Sequence, residues 1–137
     1  ARQGSTRAPH WKVGGGVHTP HPHSYALTMP RKMRRAALCS ALSVKASESA
    51  IVVVDELKVS EPKTRLMAKA LNTLVGDASA LIVIPGKEAY ADVIRSANNI
   101  PDAKILMAGY LNVHDLLQFD KLVLPLSVLD VLQTNLG

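Results

Sequence analysis

The residue types able to do chemistry crowd the first 39 positions. They are His10, His18, His21 and His23, the thiol of Cys39, the cations Arg2, Arg7, Lys12, Arg31, Lys32, Arg34 and Arg35, and the flat rings of Trp11 and Tyr25. Such a set suits metal ligation, acid–base or nucleophilic catalysis, or recognition of a polyanion. Zinc wants a closed constellation built from ligand pairs such as C-x-x-C or H-x-x-x-H. Here Pro20 and Pro22 alternate with His21 and His23, which fixes extended backbone and throws successive imidazoles apart. Cys39 is expected on the apolar side of a helix. No metal or other cofactor is therefore expected. The lone cysteine excludes an intrachain disulfide and fits a reducing compartment.

Recognition of a polyanion uses the whole set at once. From position 1 to 47 there are eight Lys/Arg and no Asp or Glu; from 48 to 137 there are eight Lys/Arg against eleven Asp/Glu, a balance of −3. A cationic arm is thus joined to a mildly acidic body, and such asymmetry points to a polyanionic partner. Arginine and lysine supply phosphate contacts, and arginine adds planar donors that stack on bases. Trp11 and Tyr25 offer surfaces for the unstacked bases of folded RNA, and His10, His18 and His21 offer neutral polar contacts. Gly14, Gly15 and Gly16 let backbone approach a sugar-phosphate chain with no Cβ in the way.

The first 30 residues hold four of the eight glycines, four of the eight prolines and four of the five histidines, with neither helical nor strand periodicity. Free in water this stretch is expected to be extended and mobile. Two regions follow: an arm over residues 1–29 and a globular domain over 30–137. Pro30 suits the first turn of a helix carrying Met33, Ala37, Leu38, Ala41 and Leu42 on one face. Arg31, Lys32, Arg34 and Arg35 crowd its opening turn, where cations oppose the macrodipole unless an anion lies near.

Beyond it, strand and helix patterns alternate. Ile51–Val54 lacks polar alternation, which predicts a strand buried on both faces. Ser60, Glu61 and Pro62 open a helix with Leu66, Met67, Ala70, Leu71 and Leu74 on one side, and Gly76 stops it. Ala80–Ile84, Lys104–Met107 and Lys121–Leu124 are further strands. Tyr90, Val93, Ile94 and Ala97 mark the next helix; Asn112 with Asp115 caps another through Phe119; Ser127 is expected to cap the last, with Val128, Val131, Leu132 and Leu136. The rhythm predicts an α/β domain, a parallel sheet flanked by helices with right-handed crossovers, with Val53, Ile82, Leu106 and Val123 buried.

An α/β rhythm invites an enzyme, but the strand ends (Asp55-Glu56, Pro85-Gly86-Lys87, Gly109-Tyr110) match neither G-x-G-x-x-G nor G-x-x-x-x-G-K-[ST], and no G-x-S-x-G occurs. A catalytic pocket would have to gather Asp55, Lys87 and Tyr110. No run of 18 apolar residues exists, so no membrane-spanning helix is expected.

The segment Ala1-Arg2-Gln3-Gly4-Ser5-x-Arg7-x-Pro9-x-Trp11, followed by Gly14-Gly15-Gly16-Val17 and Pro20-x-Pro22-x-x-Tyr25, resembles the extended loop of the large-subunit ribosomal protein four family, in its bacterial or organellar form. Met29 to Leu38 with Ser40-Ala41-Leu42-Ser43 resembles the helix after that loop. Val53-Val54-Asp55, Glu61-Pro62-Lys63-Thr64, Leu111 to Leu117 and Asp120-Lys121-Leu122-Val123 resemble its body. The resemblance spans essentially the whole chain. It implies a structural, non-enzymatic protein of the large ribosomal subunit that binds 23S-type rRNA, contacts neighbouring ribosomal proteins, and threads its loop toward the nascent-peptide exit tunnel. It implies a place on the ribosome, in a bacterial cytoplasm or an organelle, with no small-molecule substrate. It also implies that the family's first strand, first helix and outgoing loop half precede Ala1. His18-Thr19 and His21-Pro22-His23 stand where the family commonly has an aromatic, a glycine and basic residues, so weaker phosphate contact is expected there. The rival functions are a regulator that binds an RNA hairpin off the ribosome, and an α/β enzyme lacking its upstream residues.

Overall fold

The structure, a computed structural model, describes residues 4–59 and 61–137. Arg2 and Ser60, to which the sequence assigned RNA contact and helix opening, lie outside the described residues. The elements run in the order α1 (Arg31–Ser47), β1 (Ile51–Val54), α2 (Thr64–Val75), β2 (Ala80–Ile84), α3 (Ala91–Ala97), β3 (Ala103–Met107), α4 (Val113–Gln118), β4 (Lys121–Pro125) and α5 (Leu126–Leu136), with short 3-10 turns before α3 and after β3.

All strands are parallel and lie in the order β1-β4-β2-β3. Side chains alternate across the sheet and build two cores. Leu81, Val83, Leu122 and Leu124 face Ala41, Leu116, Val128 and Leu132 of α1, α4 and α5. Ala80, Ile82, Ile84 and Val123 face Met67, Leu71, Val93 and Ala97 of α2 and α3. The crossovers β1→β2 and β2→β3 move one way across the sheet over the second face. The crossover β3→β4 moves back over the first. Direction and face reverse together, so all three crossovers share one hand, as twisted strands require.

The strand order corrects the reading of β1. Ile82 and Val123 are fully buried, but Val53 is 49 % exposed, and Leu106 is half-buried. β1 and β3 are the sheet's edges, so their apolar runs are covered less than the central β2 and β4. In α2 the buried stripe narrows to Met67 and Leu71; Leu66 and Ala70 face solvent. In α1 it runs through Leu38, Ala41, Leu42 and Lys45, leaving Met33 and Ala37 exposed. Cys39 is exposed too, because one residue past Leu38 is about 100° around the helix.

Local chemistry sets the helix ends. Asn112 Oδ1 accepts from the Asp115 N–H at 2.8 Å, as its spacing predicted. Ser127 does not cap α5: the helix begins one residue earlier at Leu126, after Pro125, whose ring fixes the entry dihedral. α2 likewise starts at Thr64, two residues past Pro62. Gly76 ends α2 at φ 69°, ψ −137°, backbone that a Cβ strongly disfavours. Just past α1, Ser49 takes φ 51°; the Ala50 N–H donates to Lys45 O and the Ser49 N–H to Ala46 O, a Schellman motif.

The amino ends of the strands are stitched together. The Ser79 N–H and Oγ both donate to Asp120 Oδ2, at 3.2 and 2.7 Å, and the Asp120 N–H donates back to Ser79 Oγ at 2.9 Å. These bonds hold the Asp120 carboxyl below its ordinary pKa, with Lys45 and Lys121 adding to the effect. The buried Lys45 Nζ donates to the Phe119 and Asp120 carbonyls at 2.9 and 3.2 Å, tying α1 to the end of α4.

Candidate nucleic-acid interface

Two structures present the cations. The first is the opening of α1. Pro30 provides no side-chain cap, and no acidic residue occupies the first turn. The opening N–H groups, which have no intrahelical acceptor in any helix, therefore lack a side-chain cap as well. Arg31, Lys32, Arg34 and Arg35 are all exposed around this positive helix end. Among the described residues, no ion pair involves any of them. Among the described residues only Arg35 is engaged, through one long bond from Nη1 to the Gly137 carbonyl at 3.4 Å, just past α5. Arg31, Arg34 and Arg35 rim a groove of about 680 Å³ floored by Leu38, Leu111 and Leu132. The sequence named these cations but gave no sign of the groove, because Leu111 and Leu132 reach it from distant elements.

The second is a turn in the arm, where extended chain was expected. The Trp11 N–H donates to Ala8 O at 3.0 Å, the Gly14 N–H to Trp11 O at 2.9 Å, and the Gly15 N–H to Arg7 O at 3.0 Å. The turn gathers Arg7, His10, Trp11, Lys12, Gly14 and Gly15, with the His10 and Trp11 ring centroids 6.0 Å apart. Gly16 and His18 follow it, exposed. From Thr19 to Met29 the chain is irregular and exposed, carrying His21 and Tyr25. His23, outside the predicted contact set, packs its ring 4.2 Å from that of Tyr25 and reaches the His21 carbonyl through Nδ1 at 3.1 Å. An i, i+2 pair of rings directly after Pro22 was the available signal.

The other chemistries find no assembled site among the described residues. No three His, Cys, Asp or Glu side chains converge as metal ligands. Lys87 and Tyr110 line a cleft of about 330 Å³ between the ends of β2 and β3, with Ile84 and Met107. Asp55 follows β1 at the far edge of the sheet, three strand spacings or roughly 14 Å from β3. The trio a catalytic pocket required is not brought together. No helix among the described residues is long and apolar enough to cross a membrane.

A parallel α/β body carrying a cationic, aromatic-bearing amino-terminal arm defines the class by architecture and charge. Comparison with known proteins gives the family: residues 1–135 match the model of the Ribosomal protein L4/L1 family, and the chain belongs to that family. It is 49% identical over 124 residues to the large ribosomal subunit protein uL4 of Pelotomaculum thermopropionicum, covering 90% of this chain and 59% of that protein. It is 44% identical to the uL4 protein of a Thermoanaerobacter species over 133 residues, 97% of this chain and 63% of the relative. With uL4 of Thermosipho melanesiensis it shares 42% identity, covering 100% of this chain and 67% of that protein. The chain thus spans about three-fifths of the length of the first two relatives, at 59% and 63%.

Proposed function

We propose that the chain is a structural constituent of the large ribosomal subunit, binding large-subunit rRNA through its arm and the opening of α1 and performing no catalysis. The observation that carries this is the placement of charge. Arg7, Lys12, Arg31, Lys32, Arg34 and Arg35 are all exposed on a segment without a single carboxylate, while the body's acids lie beyond residue 47. Membership of a ribosomal protein family supports it. Phosphates would relieve the repulsion among four cations at one helix start and the unfavourable macrodipole term together. In this reading the α/β body docks on the subunit beside neighbouring ribosomal proteins, and the arm enters the rRNA toward the wall of the nascent-peptide exit tunnel.

The test is co-sedimentation with purified large subunits lacking this protein. The chain should pellet with the subunit and stay bound when monovalent salt is raised to the level that strips loosely held proteins. Binding that vanishes at moderate salt, or that is equal for the small subunit, overturns the proposal.

A further inference from the structure

We infer that residues Arg7 to Gly15 form a preorganised recognition turn, set by Gly14, which presents Trp11 to an unstacked base of single-stranded RNA. The inference deepens the RNA-binding reading of the arm and rests on it.

The turn is nested. Two hydrogen bonds close its inner loops, Ala8 to Trp11 and Trp11 to Gly14, and the Arg7–Gly15 bond closes the outer one. Ala8 and Gly14 are half-buried, whereas the rest of the described arm is exposed. Their contact explains the glycine. A Cβ on Gly14 would lie 1.9 Å from the Ala8 carbonyl oxygen and 2.8 Å from its carbon. Both are backbone atoms that cannot swing aside, so any other residue at 14 forces the turn open. Its neighbours meet no immovable backbone: a Cβ on Gly15 would lie 3.6 Å from Arg7 O, an ordinary contact, and one on Gly16 would lie a tight 3.0 Å from the Thr19 methyl, an exposed side chain. One glycine of the triplet is therefore required by the arm's own shape, independent of any ligand.

That shape puts an indole and two cations on one turn. Trp11 is 49% exposed, against 92% for Val13 and 95% for Leu27 in the same arm, so the turn holds the ring partly in place while leaving surface open. Arg7 and Lys12 belong to the same turn and are exposed. A base stacks on the ring, and the two cations meet the adjoining phosphates. A duplex, whose bases are already stacked, has no free base face to offer. Because the turn is closed before RNA arrives, the ordering entropy of this stretch is not charged against binding.

Trp11 is the chain's only tryptophan, so indole fluorescence reads this position alone. The 137-residue chain is titrated with an unstructured single-stranded RNA of about 12 nucleotides, within the usual site-size range, and with a blunt RNA duplex of that length. The single strand should quench Trp11 and the duplex should not. Gly14→Ala should weaken single-strand affinity roughly 5- to 150-fold, the span of one lost base stack, and abolish the quench. Val17→Ala, just past the turn at a position 67% exposed, should bind as wild type, and both variants should keep the body's melting temperature. If Gly14→Ala binds and quenches like wild type, or the duplex quenches equally, the preorganised turn is refuted. If the chain binds RNA through its arginines with no response from Trp11, this inference falls and the proposed function stands. If the chain binds neither RNA, both fall.

Discussion

Asp115 joins two elements with one carboxylate. Its side chain is 3% exposed, and Oδ1 accepts from Lys104 Nζ of β3 at 2.7 Å. Oδ2 accepts from Asn112 Nδ2 at 2.9 Å, while its own N–H is capped by Asn112 Oδ1. Lys104 foremost, then Asn112 and His114, hold the carboxyl below its ordinary pKa against the opposing effect of burial. A depressed carboxylate stabilises the fold above its unfolded value of about 3.8 and loses that contribution as pH falls through the folded value. Asp115→Asn should cost about 1–3 kcal/mol near neutrality, since Lys104 is partly solvated and recovers some hydration. Its stability should also fall less steeply than wild type below about pH 4, read by urea titration across pH. An unchanged acid limb would remove Asp115 from this role. The Asn112–Asp115 spacing was legible in the sequence as a cap. The Lys104 partner was not, because it depends on β3 lying beside the start of α4. Lys45 was equally hidden: a lysine late in a basic helix gives no sign that its ammonium will be buried on the Phe119 and Asp120 carbonyls.

The two helix ends that need positive φ make a matched pair at the scale of elements. Gly76 fills one, and Ser49 the other. Gly76→Ala should destabilise by about 1–3 kcal/mol through backbone strain alone, since nothing lies within 4 Å of the new methyl. Ser49→Gly should stabilise by about 0.5–1 kcal/mol by removing the left-handed penalty while keeping the Schellman bonds. Opposite shifts in the urea midpoint at unchanged slope are the expected result, and shifts of the same sign would reject the backbone account. Glycine announced the first stop in the sequence; serine concealed the second. Elements were otherwise legible as types, all four strands and the helices between them being present where periodicity put them. What failed was position within the sheet. Val53 reads like Ile82 as a string of letters, and only strand order makes the first an edge and the second a centre. Val53→Thr should accordingly shift stability by no more than about 0.5 kcal/mol, whereas Ile82→Ala should cost about 2–5.

The whole molecule separates its charge from its core, and this division was legible from composition alone: acids are absent before residue 48. The arm's internal geometry was not, since the closing of Gly14 on Ala8 is a matter of backbone path that residue types do not encode. If the division exists to neutralise phosphate, affinity for a cognate rRNA fragment must carry its thermodynamic mark. Each neutralised phosphate releases condensed counterion, so with about five contacts log K against log salt should slope at roughly −3.5 to −4.5, the single-strand and duplex limits. Arg34 and Arg35 are exposed at the start of α1 and form no ion pair among the described residues. Changing both to Ala should flatten the slope by up to about two contacts' worth. The loss of one long bond from Arg35 to Gly137 O should barely move the melting temperature. Trp11→Ala should instead cost about 1–3 kcal/mol of affinity with the slope intact, because stacking releases no ions. Charge and stacking are thereby read on separate axes. A plain basic tail would respond to the arginine pair and ignore Trp11, and that result would reduce the arm from a recognition element to a counterion.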